Sequence, residues 1–325
     1  MNFIGRFASN NTIFASSYND TTNKIGGTPL KVFVSTNESE YSPTGYEDYT
    51  NLIDDYYVKG FIEGLVGLKE GGSKTIGPIE NAYGVYPKIG DVITVFDPSV
   101  GKEMKIRIVN ITNNSAMPAE YQDMYGNVKT TLFVLRDDSY SLGEKTTSYP
   151  SWENATVVTA INETKMSMYT TPPEDQRENF TWFAIGNGGE TQIMYWENAS
   201  SITSMNDTTI IITHNPEIGA AMYVYDAYYD STTTYYVENI KAETINISYY
   251  DANTVSYSYY EINRTITIVR NETQNITYTV PTEAMDQLLS DIKNSYDPNL
   301  ILSVNKLAGE SIIYEVQIVK IYKTS

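Results

Sequence analysis

The sequence of 325 residues contains no cysteine and a single histidine, His214. Zinc sites, cysteine nucleophiles and histidine-dependent catalytic triads need these residue types, so all three classes of site are excluded. Long apolar runs are also missing. Because a membrane-spanning helix needs about 18 or more consecutive apolar residues, no segment is expected to span a membrane. We interpret His214, in a Thr-His-Asn-Pro turn, as a surface residue.

Basic residues are scarce. The chain has 22 Lys and Arg against 40 Asp and Glu, and its net charge is −18. Nucleic-acid binding requires clustered Lys and Arg to neutralise phosphates, so a nucleic-acid partner is excluded. We expect no metal and no cofactor.

Tyrosine and Asn-x-Ser/Thr sequons are abundant, with 29 tyrosines and fourteen sequons. Sequons accept N-linked glycans in exported proteins, where they lie on surface loops. We therefore expect an extracellular or cell-surface glycoprotein, with its signal or anchor upstream of the residues shown. The predicted glycosylation sites are Asn154, Asn162, Asn198, Asn206, Asn246, Asn263, Asn271 and Asn275.

Most of the chain has the pattern of β-strands. The first 35 residues indicate strand, turn and strand, and residues 90 to 280 show short alternating runs separated by Asn, Asp and Gly turns. The spacing of apolar residues predicts a short helix from Phe61 to Leu68 and a second helix capped by Thr282. An alternating final segment predicts a strand from Ile312 to Ile321.

An internal repeat lies in the β-rich region. The segment WENATVVTAINETKMSMYTTP begins at Trp152, and WENASSITSMNDTTIIITHNP begins at Trp196, so equivalent residues are offset by 44 positions. The repeat predicts two like β units, residues 149–192 and 193–236, with Asn154 and Asn198 at equivalent exposed turns. We expect both tryptophans to be core residues.

Three separated blocks resemble FKBP-type peptidyl-prolyl isomerases. NFIGRFASNNTIFASS resembles the first hairpin of that family. FIEGLVGLKEGGSKTIGPIENAYG resembles its helix, a glycine-flanked turn, the next strand and the Ala-Tyr-Gly that begins the flap. NKLAGESIIYEVQIVKI resembles the final strand, and Asn-His-Pro-Leu-Ala-Gly is usual at its start in SlyD-like and archaeal members.

The resemblance implies a domain split by a large insertion. It implies a mainly β protein, in which an α+β domain has a curved antiparallel sheet around a short helix. Residues 1–90 would form the first part of this domain and residues 300–325 its final strand. A β-rich region, residues 91–299, would be inserted where SlyD-like proteins carry an insert in the flap.

The resemblance also implies a proline-binding pocket. Catalytic roles map to Tyr83, which would donate its hydroxyl to the substrate carbonyl, to Phe61 as the pocket floor, and to Phe14. Binding roles map to Phe3, Tyr57, Val58, Ala82 and Tyr314. The sequence departs from the family at Ala15, where the pocket aspartate is expected, at Phe3 in place of tyrosine and at Tyr314 in place of phenylalanine.

These features predict a prolyl isomerase that helps exported proteins fold at the cell surface. Its partners would be proline-containing unfolded or surface polypeptides, held by Tyr-rich strands of the insert, and self-association or surface-layer contact is a further expectation. One alternative is a non-enzymatic glycosylated surface or assembly protein built on a degenerate FKBP-like domain. The other is a glycan- or protein-binding adhesin that binds through its repeated modules.

Overall fold

The computed structural model describes residues 1–35, 37, 40, 42–53, 56–97, 102–148, 152–174, 177–185, 191–194, 196–226, 231–251 and 255–323. Over these residues the chain is mainly β, as the sequence predicts. The chain divides into two compact units. Unit 1 comprises Met1–Leu135 and Thr279–Ser325, and unit 2 comprises Arg136–Tyr278.

The strands and helices are numbered in chain order. The strands are β1 (Asn2–Phe7), β2 (Ile13–Ser16), β3 (Ser73–Ile79), β4 (Val92–Asp97), β5 (Lys102–Ala116), β6 (Lys129–Asp137), β7 (Lys145–Ser148), β8 (Trp152–Ile161), β9 (Lys165–Thr170), β10 (Phe183–Ile185), β11 (Thr191–Met194), β12 (Ser200–Met205), β13 (Thr209–His214), β14 (Ala221–Asp226), β15 (Ser231–Ile240), β16 (Thr244–Asp251), β17 (Ser256–Asn263), β18 (Thr265–Val269), β19 (Asn271–Asn275), β20 (Thr277–Pro281) and β21 (Ile312–Gln317). The helices are α1 (Lys59–Leu65), α2 (Ala119–Tyr125) and α3 (Thr282–Ser295).

Two details of the helices differ from the sequence prediction. Helix α2, with seven residues and no buried side chain, lies within the region expected to be β. Helix α3 begins after Pro281, which offers no side-chain cap, and the N–H of Thr282 donates to the Thr130 hydroxyl of β6 at 3.4 Å. The Thr282 hydroxyl instead donates to the Thr131 carbonyl at 3.2 Å, so the predicted cap is wrong.

The first sheet of unit 1 joins the two ends of the chain. Its order is β2-β1-β21-β3, all antiparallel, so β21 lies between two strands of the N-terminal block. This is the pairing that the split-domain interpretation predicts, although β21 ends at Gln317, earlier than Ile321. Helix α1 buries Phe61, Ile62 and Leu65 and packs against β3.

A second sheet, β20-β6-β5-β4, lies with α3 over a separate core of unit 1. Met285, Leu289 and Ile292 follow helical spacing, and all three are buried in this core. Unit 1 therefore includes β4 to β6, β20 and α3, which the sequence interpretation assigned to the inserted region.

Among the antiparallel strand pairs in the described part of unit 2, three hairpins share one plan and each gains a further strand from later in the chain. The hairpins are β8–β9, β12–β13 and β15–β16, and their third strands are β19, β18 and β17 respectively. The third strands follow one another along the chain in the reverse order of the hairpins. One continuous segment, residues 256–275, therefore pairs with the third, the second and then the first hairpin.

The first two hairpins contain the two copies of the 44-residue repeat, and equivalent residues have similar local geometry. Asn154 and Asn198 are both exposed, with φ of 56° and 52°. Asn198 lies in a turn before β12, but Asn154 lies within β8, so the predicted turn is wrong for Asn154. The side chains of Asn162 and Asn206 each accept hydrogen bonds from the backbone N–H groups two and three residues further on. Such an Asx arrangement closes a turn without help from distant residues, so each repeat fixes its own hairpin turn.

The repeated tryptophans connect neighbouring hairpins. Trp152 precedes the first hairpin turn but shares a core with Ile210 of the second hairpin. Trp196 likewise shares a core with Ile245 of the third hairpin. Both tryptophans are buried, as expected for core residues.

The third hairpin repeats the same backbone plan without the sequence match. Lys241 takes the place of Asn206, and its N–H donates to the Thr244 carbonyl at 2.8 Å, as that of Asn206 donates to Thr209 at 3.0 Å. A register irregularity falls in the first strand of all three hairpins. The structure therefore contains three like hairpins where the sequence repeat identifies two.

An arginine from outside each hairpin donates to the carbonyl at the same position of its turn. The pairs are Arg136 with Asn162 at 3.1 Å, Arg270 with Asn206 at 2.7 Å and Arg264 with Lys241 at 3.2 Å. Arg270 is buried, its Nε also donates to the Thr170 carbonyl at 2.9 Å, and its guanidinium lies 4.4 Å from the centre of the Tyr169 ring. These bonds satisfy turn carbonyls that the hairpins leave unpaired.

Candidate functional site

The residues that the resemblance assigns to a proline pocket lie together in the core of unit 1. Five of them are buried and three are half-buried, and all belong to one cluster around α1 and the first sheet. The buried ones are Phe3, Val58, Phe61, Tyr83 and Tyr314, and the half-buried ones are Phe14, Tyr57 and Ala82. We call this set the aromatic cluster.

Tyr314 lies at the centre of the aromatic cluster. Its ring centroid is 4.7 Å from that of Phe61, 6.2 Å from Phe3 and 6.0 Å from Phe14. The Tyr83 and Tyr314 hydroxyls are 3.0 Å apart, and the two residues are only 1% and 0% exposed. The cluster is thus closed, with its two central hydroxyls hydrogen-bonded to each other.

The position of Tyr83 depends on the turn that follows it. Gly84 has φ of 86°, and a Cβ there would lie 2.6 Å from the Ile301 carbonyl oxygen. Only glycine permits this approach, which lets the N–H of Val85 donate to Ile301 at 2.7 Å. The Ala-Tyr-Gly turn is thereby tied to the segment that leads into β21.

Phe14 forms the outer part of the cluster. Its ring packs edge-on against Tyr83 at 6.5 Å, and its Cζ would lie 2.6 Å from a Cβ on Gly5. The glycine of β1 therefore makes room for this ring. Ala15, next to Phe14, is half-buried against the same cluster and brings no carboxylate to it.

Two aromatic residues of the cluster were missed by sequence reasoning. The Tyr56 ring lies 5.3 Å from that of Tyr83, and its hydroxyl is 3.2 Å from the Ser303 hydroxyl. The Phe7 ring lies 5.3 Å from Phe14. Tyr56 directly precedes the assigned Tyr57, and Phe7 ends the matched stretch NFIGRF. An aromatic residue within or next to a matched stretch was therefore the signal that could have found them.

The aromatic cluster offers apolar walls and phenol hydroxyls, and its named members include no acid, base or thiol. No group of three or more His, Asp or Glu suited to a metal ion occurs among the residues that the structure describes. Such a site can exclude water and donate one hydrogen bond. Proton transfer and nucleophilic attack would need other residue types.

The predicted glycosylation sites lie in unit 2. Seven of the eight are exposed, and Asn246 on β16 is half-buried. Asn271 is exposed but its amide donates to the Asp207 carbonyl at 2.8 Å, so this side chain is already engaged.

The interpretation of His214 as a surface residue is wrong. It ends β13, is fully buried, and lies between Trp182 and Trp196 with ring centroids at 5.8 and 6.0 Å. Its Nδ1 is 2.8 Å from the Ser200 hydroxyl. Burial disfavours the charged imidazolium, so the pKa of His214 is lowered from 6.5 to about 4.

Among the residues with described structure, no helix has the length and apolar character to cross a membrane. No family model matches the chain, and comparisons with curated proteins and with solved structures also find no match.

Proposed function

We propose that the protein is a peptidyl-prolyl cis-trans isomerase of the FKBP type, and that the aromatic cluster is its site. The observation that carries this proposal is the assembly of three distant sequence blocks into one antiparallel sheet against α1. This agrees with the sheet around a short helix that the resemblance implies. The same assembly brings together the eight residues that the resemblance names.

The chemistry of the cluster suits this reaction. Rotation about an X-Pro bond has a barrier of about 18–20 kcal/mol, because twisting the amide removes its resonance. A site accelerates rotation if it binds the twisted amide better than the planar one. Aromatic walls that exclude water from the carbonyl and one hydroxyl donor supply this preference, and no cofactor is required.

The closed geometry defines what a substrate must do. A prolyl group reaches the Tyr83 hydroxyl only when the half-buried Phe14 ring moves aside, and it then approaches a hydroxyl that already shares a hydrogen bond with Tyr314. Substrate binding therefore opposes a hydrogen bond within the site. The substrates would be proline-containing polypeptides at the cell surface, a location supported by the exposed sequons.

The test is catalysis of a proline-limited refolding reaction. Tyr83→Phe should lower the rate constant roughly tenfold, since the donor to the twisted carbonyl is lost. Tyr314→Phe should raise it, because the Tyr83 hydroxyl no longer has this competing partner. Tyr86→Phe is the matched control, because Tyr86 is half-buried in the second core of unit 1. No acceleration by the folded unmodified protein would refute the proposal.

The second candidate is a non-enzymatic surface or assembly protein built on the same domain. The observation that favours it is the closed cluster, in which Tyr83 and Tyr314 are buried and bonded to each other, with Ala15 beside them. The same assay separates the two functions. If the second candidate is right, Tyr314→Phe will be as inactive as the unmodified protein.

A further inference from the structure

One face of the six-stranded sheet of unit 2 carries exposed tyrosines. Residues directly opposite each other on antiparallel strands share a face, as do residues i and i+2 of one strand. Ser248 is opposite both Tyr236 on β15 and Tyr259 on β17, and Tyr250 is opposite Tyr257. We call the full set the tyrosine face: Tyr223, Tyr225, Tyr236, Tyr250, Tyr257 and Tyr259.

The core of unit 2 does not need these rings. The opposite face of the same strands buries Met222, Val237 and Ile247 in a cluster with Trp196. The six tyrosines themselves are between 39% and 70% exposed. Single exposed aromatic residues are ordinary, but a contiguous group on one face marks an interaction surface.

The rings of β16 and β17 form a continuous platform. The centroids of Tyr250 and Tyr257 are 5.1 Å apart, and those of Tyr257 and Tyr259 are 6.4 Å apart with an interplanar angle of 29°. Rings held on a sheet lose little conformational freedom on binding, so they suit a ligand that lies flat across several of them.

The polar groups among the tyrosines are uncharged hydroxyls. Thr232 and Thr234 lie opposite Tyr225 and Tyr223. Ser248 lies between two tyrosines, but it is buried and its hydroxyl donates to Glu238. Carboxylates occur at one end, where Glu238 binds the Ser248 hydroxyl and Glu261 binds Lys241. The centre therefore combines aromatic surface with hydroxyl groups.

The charges on this face discriminate between classes of partner. A polyanion would meet a protein of net charge −18. A polycation would meet carboxylates toward one end of the face, at Glu238 and Glu261, rather than along the line of tyrosines. Promiscuous surfaces for unfolded chains are rich in flexible methionine, and the named residues of this face are tyrosine, threonine and serine. A pyranose ring fits best, because its C–H face packs on an aromatic ring while its edge hydroxyls bond to phenol and Thr hydroxyls.

We propose that the tyrosine face binds a neutral polysaccharide, with successive sugar rings stacked on Tyr250, Tyr257 and Tyr259. The proposal is independent of isomerase activity, because it concerns unit 2 alone. It assigns to this unit a role as an attachment surface for glycan outside the chain.

The test is electrophoresis of the full chain through native gels that contain hydroxyethylcellulose, xylan or galactomannan. The unmodified protein should be retarded by at least one of these neutral polymers. The double variant Tyr257→Thr/Tyr259→Thr, which keeps β-favouring residues, should bind at least about tenfold more weakly. Tyr257→Phe/Tyr259→Phe should retain most of the retardation, because the rings remain.

The matched control is Tyr278→Thr/Tyr296→Thr, which removes two exposed tyrosines outside the tyrosine face. It should be retarded like the unmodified protein, and thermal unfolding checks that each variant is folded. The proposal is overturned if none of the three polymers retards the protein, or if the face variant and the control behave alike. A further outcome also overturns the proposal. In it, no glycan retards the protein, an immobilised unfolded polypeptide retains the unmodified protein and the control, and the face variant alone is not retained.

Discussion

In unit 1 the two central tyrosines of the aromatic cluster, Tyr83 and Tyr314, are buried and hydrogen-bonded to each other, whereas the tyrosine face of unit 2 is exposed. Unit 2 instead buries a histidine and an arginine, His214 and Arg270. Both arrangements follow from the polarity of neighbouring groups. Met222, Val237 and Ile247 fill one side of the unit 2 sheet, so the six tyrosines of the opposite face remain outside. The buried Arg270 supplies donors to backbone carbonyls that would otherwise be unpaired.

The comparison of the two units shows that the same residue type can contribute differently to stability. A tyrosine contributes to stability where its ring and hydroxyl both have partners, and contributes little where solvent surrounds it. A buried polar side chain contributes most where removing it leaves other buried groups unpaired. We therefore expect the most damaging substitutions in unit 2 at polar positions and the mildest at its exposed tyrosines.

The largest expected effect is that of Arg270→Met. The Thr170 carbonyl in a buried site and the Asn206 carbonyl in a partly buried one lose their guanidinium donor, and an unpaired buried group costs about 1–3 kcal/mol. The contact of the guanidinium with the Tyr169 ring is lost as well. We expect the free energy of unfolding of unit 2 to fall by about 4 kcal/mol. All three tryptophans of the chain lie in unit 2, so their fluorescence in a urea titration measures this change.

Arg264→Met is the matched comparison. Arg264 holds the third hairpin as Arg270 holds the second, but it is half-buried and its Nε bond to the His214 carbonyl is longer, at 3.3 Å. Its loss should cost about 1 kcal/mol. Equal effects of the two substitutions would show that burial does not set the contribution of these arginines.

The next effect is pH dependence through His214. The pKa of His214 is about 4 in the folded protein and 6.5 when exposed. Between these pH values the unfolded chain is protonated at His214 and the folded chain is not. The stabilisation from neutral His214 is complete above pH 6.5 and is lost as the pH falls toward 4. We expect a loss of about 3 kcal/mol between pH 7 and pH 4 in the stability of unit 2.

The first hairpin supplies the control for His214. There the equivalent positions hold Thr156 and Thr170, with hydroxyls 2.8 Å apart. The double variant Ser200→Thr/His214→Thr copies this pair and should lose the histidine part of the pH dependence. Carboxylates titrate in both proteins, so the difference between their stability curves isolates His214. Identical curves would place the histidine in solvent.

The sequence predicted the parts of the fold that depend on local pattern. Alternation located the strands, and the core face of α3 followed from its spacing. The 44-residue repeat led to two of the three hairpins. The third was missed because Lys241 replaces the turn asparagine, while the backbone bonds that define the turn need no particular side chain.

The remaining errors come from tertiary contacts. His214 has polar neighbours in sequence, and its burial depends on two tryptophans from distant segments, Trp182 just before β10 and Trp196 between β11 and β12. The aromatic cluster could be predicted as a group of residues, but its closure could not. The hydrogen bond between Tyr83 and Tyr314 joins residues 231 positions apart, and no local pattern reports such a contact.

A smaller effect is expected inside the aromatic cluster. Tyr314→Phe leaves the buried Tyr83 hydroxyl without this partner and should cost about 1 kcal/mol. The double variant Tyr83→Phe/Tyr314→Phe removes both hydroxyls and should be closer to the unmodified protein, because no buried hydroxyl remains to be satisfied. Amide hydrogen exchange of β21, followed by mass spectrometry, measures the local stability. A double variant less stable than Tyr314→Phe would contradict this account.

The smallest effect is expected on the tyrosine face. Tyr259 is 70% exposed and Tyr257 is 59% exposed, so both rings are largely hydrated in the folded chain. Replacing each with threonine keeps a residue that favours strands, and the change in unfolding free energy should stay within about 0.5 kcal/mol per substitution. Tryptophan fluorescence in urea measures it in the same unit as Arg270→Met. A loss above about 2 kcal/mol for the pair would mean that the exposed rings support the sheet, as those of unit 1 support their cluster. The contrast between the two units would then fail, and a free binding surface would no longer explain why six tyrosines share one face.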